Sequence, residues 1–317
     1  MSQSNQNEEV ANADVSDVLD ESLVLDSTSY FPIRELSLKT GVNSVTLRAW
    51  ERRYGLLKPK RTKKGHRLYD QGDVQRVEGI LRWIQQGVAV SKVRALLDQG
   101  AVLDSAATLS NEWIEWQEAL VKASTEYKEE KIEQLYQQIF SQYPADIAVR
   151  DWLLPCFEKL GKGASSAFCE SVLLSCFVAR INSVKSQQSS AQKKQQSNTL
   201  ITSLSSEKTL WCYIAAVLLL DQGIPCRMVT NTMNMNNCTE LVKGTNASSI
   251  LVFADSDAAS KVSGLINDMV QWQREVVVVG ASFWLSAHEL GLTTEKKVSV
   301  YSESLEGLTA FIKAVKQ

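Results

Sequence analysis

The alternation of apolar and polar positions falls into three regimes. Between Pro32 and Gly41 the apolar residues Ile33, Leu36 and Leu38 recur at helical spacing, with proline at the start and glycine at the stop. Asn43 and Ser44 can cap a second helix over about 44–54, closed by Gly55. Two short helices joined by a tight, glycine-containing turn make a helix-turn-helix. Pro59 then breaks the helix, Lys63-Lys64-Gly65 reads as a hairpin tip, and His66-Arg67-Leu68-Tyr69 reads as the return strand of a wing. Asp70 or Asp73 caps a helix at about 73–86 with Val74, Val77, Ile80, Leu81 and Ile84 on one face; Gly87 ends it, and Ser91 opens a short helix to about 99.

From 111 to 184 the helical period dominates. It predicts four helices, roughly 111–123, 128–142, 145–161 and 165–184, with Trp113, Trp116, Leu120, Leu135, Phe140, Trp152, Leu153 and Phe157 as core. The polar, low-complexity segment 185–198 reads as a linker. Beyond it, short apolar runs alternate with helices: strands at 199–204, 226–231, 249–254, 275–280 and 298–302, helices near 207–222, 237–244, 257–273, 283–290 and 305–316. Such runs predict a parallel sheet covered on both faces, with the flavodoxin-like order 2-1-3-4-5. Residues 1–29 are acidic, lack a sustained apolar period and read as a disordered tail. The expected chain is therefore multidomain: an all-α winged helix-turn-helix at 30–100, a four-helix bundle at 111–184, and a flavodoxin-like α/β domain at 199–317.

Charge changes this picture most. The chain as a whole has a formal net charge of −2, yet residues 30–100 hold fifteen Lys/Arg against six Asp/Glu, while residues 1–29 hold seven acids and no base. That asymmetry points to a nucleic-acid-binding head. No apolar run reaches the ~18–20 residues of a membrane span, and the N-terminus is acidic where a signal peptide needs bases; a cytoplasmic protein with no membrane partner is expected. The six cysteines, at 156, 169, 176, 212, 226 and 238, show no metal-ligand spacing and read as buried thiols; Cys169 and Cys176, seven apart on one helical face, are the one candidate redox pair. Two histidines, His66 and His288, leave little room for zinc or acid–base chemistry.

The basic stretch TLRAWERRYGLLKPKRTKKGHRLYD (46–70) has the make-up of a DNA reader. On the second helix Arg48, Arg52 and Tyr54 follow Thr46 at intervals that keep several of them outward together, flanked by Glu51 and Arg53, and the wing adds Lys58, Lys60, Arg61, Lys63, Lys64 and Arg67. Cations on both flanks of a groove-reading helix suit phosphates, and bidentate arginine suits base edges. Trp50 either packs beneath the wing or lies against a sugar-phosphate edge.

These residues resemble the MerR family, whose members share a TLR-x-(Y/W)-E-R second helix and a basic wing ending R-x-Y. The runs AWERRYGLLKP and GHRLY resemble the branch holding the MlrA-type curli and biofilm regulators and the cobalamin-dependent, light-responsive CarH/LitR repressors; WIEWQEAL and SQYPADIAVRDWLLPCFEKL are closer to the MlrA type. The resemblance implies a homodimer on a pseudo-palindromic element of double-stranded promoter DNA, within a long spacer between the −35 and −10 boxes that RNA polymerase reads. It assigns Thr46, Arg48, Arg52, Arg53 and Tyr54 to the recognition helix, Arg61, Lys64, His66 and Arg67 to the wing, Tyr69 to its bracing, and Lys92 to a phosphate. It also implies input from cyclic-di-GMP signalling proteins.

A bundle followed by a five-stranded α/β domain is also the layout of a cobalamin-binding module, but the ligand chemistry argues against that cofactor. The loop after the first strand, Ser203–Ala216, has no histidine to ligate cobalt, and the bundle carries Glu170-Ser171 where that family has Glu-His. The C-terminal half then reads as a protein-binding module, or as one that takes another small ligand beside Ser205, Ser206, Glu207, Lys208 and Thr209; a cobalamin- or ligand-sensing repressor of the CarH/LitR type is the alternative. Asp255 and Asp257 lack the partners a phosphoryl-transfer site needs, and with no glycine-rich phosphate loop or nucleophilic triad the sequence argues for a regulator, not an enzyme.

Overall fold

The computed structural model describes residues 29–99, 111–187, 199–205, 208–230, 232, 234–254 and 259–316. The expected tail, apart from residue 29, most of the 185–198 segment, Ser206, Glu207, Asp255 and Asp257 lie outside the described residues. The chain divides into two units, Met1–Asn111 and Glu112–Gln317.

In the first unit, α1 (Ile33–Thr40) stops at Gly41, whose φ of 70° lets its N–H return to the Ser37 carbonyl at 2.9 Å. Asn43 caps α2 (Ser44–Ala49) by accepting the Val45 N–H at 2.8 Å. The expected α-helix over 44–54 is only partly regular. Its last turn, Trp50–Tyr54, widens into a π turn before Gly55, and the Leu56 N–H closes on the Trp50 carbonyl at 3.0 Å. The wing is an antiparallel pair, β2 (Lys60–Arg61) and β3 (Arg67–Tyr69), joined through Gly65 at φ 84°. A third strand, β1 (Phe31–Pro32), pairs Phe31 with Tyr69. Two residues are too short to show a period, so this third strand was not legible, and with the expected wing it makes the unit not wholly α. Asp70, rather than Asp73, is the cap of α3 (Gln71–Gln85), the two exchanging reciprocal bonds at 3.1 and 3.0 Å. After α3 comes α4 (Val90–Gln99), and Leu36, Leu47, Trp50, Leu56, Leu57, Tyr69, Val77, Ile80 and Ile84 fill the core.

The second unit opens with helices: α5 (Asn111–Thr125), α6 (Glu129–Gln142), α7 (Ala145–Ala148), α8 (Leu154–Leu160) and α9 (Ala164–Gln187). A π turn, Val149–Leu153, joins α7 to α8. Pro155 has no N–H to offer Asp151 four residues back; the Asp151 carbonyl instead accepts Gln117 Nε2 at 2.7 Å, which pins α5 across this segment. Tyr136, Phe140, Trp152 and Phe177 pack edge-to-face or stacked at centroid distances of 4.4–6.3 Å. By length and composition α9 could cross a membrane, which an inspection of unbroken apolar runs overlooked because Glu170 and Arg180 interrupt it. Here it is a bundle helix that buries Cys169, Val172, Leu173, Phe177 and Ile181.

The mixed sheet follows: β4 (Thr199–Ser203), β5 (Cys226–Val229), β6 (Ser249–Phe253), β7 (Glu275–Val279) and β9 (Val298–Tyr301) run parallel in the order β5-β4-β6-β7-β9, and the short β8 (Thr294–Glu295) adds antiparallel to β9. The intervening helices are α10 (Thr209–Asp221), α11 (Met235–Thr245), α12 (Ala259–Gln271) and α13 (Ala281–Glu289); α14 (Ser304–Lys316) closes the chain. Helix α10 is apolar on all sides because it has no solvent face: it packs on β4 and β5 with one side and on α9 with the other. Arg180 of α9 reaches Asp221 at its end at 2.7 Å, a nearly buried ion pair that joins bundle to sheet layer.

Candidate nucleic-acid interface

The candidate site begins with what holds α2 in place. Leu47 and Trp50 are fully buried, one helical turn apart, and root the helix in the core; Trp50 is therefore unavailable to a sugar-phosphate edge. Arg48, Arg52 and Arg53 are exposed. The next surface is the hairpin, where Lys58, Lys60, Arg61, Lys63, Lys64 and His66 are exposed.

The two surfaces are tied together through one carboxylate. Glu51 accepts Arg61 Nη2 at 2.9 Å on one oxygen and Arg67 Nε at 2.5 Å on the other. Its side chain is only 12% exposed, so these are charge-assisted bonds sheltered from water. The bond to Glu51 holds the Arg67 guanidinium above its ordinary range. Beneath it, burial of the Tyr69 phenol pushes its pKa up to about 12, and its hydroxyl makes no hydrogen bond among the described residues. On the other side of α2, Arg76 of α3 donates to the Leu56 carbonyl at 2.5 Å and to Asp98 of α4 at 3.0 Å. The Arg94 guanidinium lies so close to Gly55 that an added Cβ would meet Nη1 at 3.0 Å; it thereby sets a cation against the carboxyl end of the recognition helix. Helix α2 and the wing are thus a pre-set pair.

The structure corrects part of the expected site. Thr46 is fully buried, and its hydroxyl finds no hydrogen-bond partner among the described residues. A spacing of two turns a helical side chain by about 200°, so Thr46 and Arg48 face opposite ways. Tyr54 is half-buried rather than outward. At His66 the hairpin bonds come from the backbone, whose N–H donates to Thr62 Oγ1 at 3.1 Å, and the imidazole is exposed. Lys92 is exposed in the first turn of α4. What the sequence reading missed is Glu51, noted only as a flanking charge; an acidic residue inside a basic run was the available signal.

At the second candidate site, near the carboxyl ends of β4 and β6, some described side chains bond or stack on one another. Thr232 donates from its N–H to the Ser203 carbonyl at 2.9 Å and from its hydroxyl to the same oxygen at 3.1 Å, and the Ser203 hydroxyl bonds the Ser205 carbonyl. Trp211 stacks on Phe253 at 6.2 Å. His288 lies on α13, stacked at 4.8 Å on Trp284. The β4–α10 loop has no imidazole that could serve as an axial ligand to cobalt. Burial pushes the Cys169 and Cys176 thiols up to about 11, far from the range of a reactive redox pair.

Comparison with known proteins converges on the first site. The MerR HTH family regulatory protein model matches residues 31–100. The HTH-type transcriptional regulator MlrA of Salmonella typhimurium (strain SL1344) is 31% identical over 198 residues, 61% of this chain and 76% of that protein. MlrA of Escherichia coli (strain K12) is 29% identical over 250 residues, 77% of this chain and 95% of that protein. The HTH-type transcriptional repressor CarH of Myxococcus xanthus is 29% identical over 134 residues, 38% of this chain and 44% of that protein.

Proposed function

The chain belongs to the MerR family, as a DNA-binding transcription regulator of the MlrA type, and from that premise we propose how it reads its promoter. It docks as a homodimer on a pseudo-palindromic element of double-stranded DNA. In each protomer Arg48, Arg52 and Arg53 of α2 meet the major groove while Lys64 and His66 of the wing grip the flanking phosphates, and Lys92 adds a phosphate contact from α4. Arg61 and Arg67 act from within the Glu51 clamp, which fixes the angle between helix and wing, and Tyr69 braces the hairpin from below. Distortion of the spacer between −35 and −10 then changes how RNA polymerase engages the promoter. The observation that carries this reading is the pairing of an exposed arginine face on α2 with a wing tied to the same helix through one partly buried carboxylate.

The second unit is the receiving end: a helical bundle on a flavodoxin-like, cobalamin-module-like domain that has lost the cofactor's ligands and is switched by a protein partner in the cytoplasm. The MlrA resemblance supports cyclic-di-GMP signalling proteins as those partners and matrix control as the output. It is not an enzyme on this reading. Duplexes selected from a random pool with the full-length protein test the docking. Affinity should fall with salt by roughly 0.9 log units per log unit of salt for each phosphate contacted, and Arg48→Ala should weaken binding without unfolding the protein. An absorption spectrum of protein purified with added cobalamin tests the second half, and a colourless protein is the expected result.

A further inference from the structure

The exposed face of the recognition helix contains one residue that no phosphate would call for. Val45 is 46% exposed in the first turn of α2, three residues before Arg48 and seven before Arg52, a spacing that puts the three on one side of the helix. Asn43 fixes the Val45 backbone by accepting its N–H at 2.8 Å. The β-branched side chain is stiff about χ1, so its two methyl groups are held outward in a defined direction. Its neighbour Thr46 is buried in the core instead.

A lone exposed aliphatic side chain is too small for a protein interface, and it cannot serve an electrostatic contact with phosphate. Its position suits another partner. A recognition helix in a major groove presents its N-terminal residues to base edges, and the one apolar group on those edges is the C5 methyl of thymine. We propose that Val45 reads a thymine methyl in each half-site, next to the bases that Arg48 and Arg52 address, and so sets specificity at that position. The inference rests on the docking proposed above and adds a base-reading residue to it.

The test uses the full-length protein on its selected duplex, with each thymine of the half-site replaced in turn by uracil, which removes only the methyl group. Wild-type protein should lose about four-fold in affinity at one position per half-site, the change that one buried methyl group yields. Val45→Ala should bind more weakly overall and show no loss at that position. Indifference of the wild type to every substitution, or an undiminished loss at the same position in Val45→Ala, overturns the proposal. If Arg48→Ala binds as tightly as the wild type, α2 does not dock in the groove; that result removes the docking itself and Val45's role with it, and the two failures are told apart by the arginine variant.

Discussion

The two units handle charge in opposite ways. In the first, Arg48, Arg52, Arg53, Lys64 and His66 are exposed, and the one acid among them, Glu51, serves to hold the wing. In the second, the ion pair that matters is turned inward: Arg180 and Asp221 are 16% and 7% exposed, and Arg180 also lies over the Phe140 ring at 5.6 Å. An outward cation costs little to keep in water and is available to a polyanion. An inward one is useful only to the residues around it, because removing charges from water must be offset by close partners. The difference teaches which unit is built to meet DNA and which to keep its layers in register.

The largest expected effect tests the inward half of that contrast. Arg180→Ala leaves the Asp221 carboxylate buried without its guanidinium and should cost about 3–5 kcal/mol of the second unit's stability. Denaturant melts that show no loss would mean that the pair is solvated. Next, Glu51→Ala removes a partly buried acceptor from two arginines and should cost about 2–3 kcal/mol in the first unit. Amide exchange should then rise across the wing, and salt should not restore it. Arg48→Ala should weaken binding of the selected duplex by about 1–3 kcal/mol and leave melting unchanged; a fall in stability instead would place the arginine in the fold. The smallest effect is at Thr46. Because its buried hydroxyl makes no hydrogen bond among the described residues, Thr46→Val should change stability by less than about 1 kcal/mol, and DNA affinity should not move.

Alkaline pH sharpens the comparison further. All six cysteines lie in the second unit, and burial pushes Cys156, Cys212, Cys226 and Cys238 up to about 12 from an ordinary value of 9.0. The folded state therefore holds these protons longer than the unfolded one, so this stability is present below pH ~9 and declines as pH rises toward 12. In the first unit the Tyr69 phenol, whose ordinary value is 10.0, is raised to about 12, so its decline begins about one pH unit later. Melting curves taken between pH 8 and 11 should show the second unit weakening first.

Much of this was legible because it was local. Pro32, Gly41, Asn43 and Gly55 mark the ends of α1 and α2 through caps and left-handed turns, and the apolar run of each parallel strand is its own signal. The order of the five parallel strands matches the flavodoxin-like default for such βα units. Elements without a period were missed: the two-residue strands β1 and β8, and the wide turns at Trp50–Tyr54 and Val149–Leu153. Thr46 was misplaced by counting neighbours along the chain instead of around the helix.

The sequence by itself determined the order of elements in this protein, a basic helix-turn-helix with a wing, then a run of helices, then short strands alternating with helices, because caps, periodicity and charge density act between residues close in the chain. Only the tertiary structure decided which side chains are available for chemistry. Glu51 meets Arg61 and Arg67 from ten and sixteen positions away; Thr232 bonds the Ser203 carbonyl at the end of β4 from twenty-nine; Val45 rather than Thr46 faces outward because Leu47 and Trp50 anchor the opposite side of the helix. Such pairings depend on contacts between distant segments, and no local pattern encodes them.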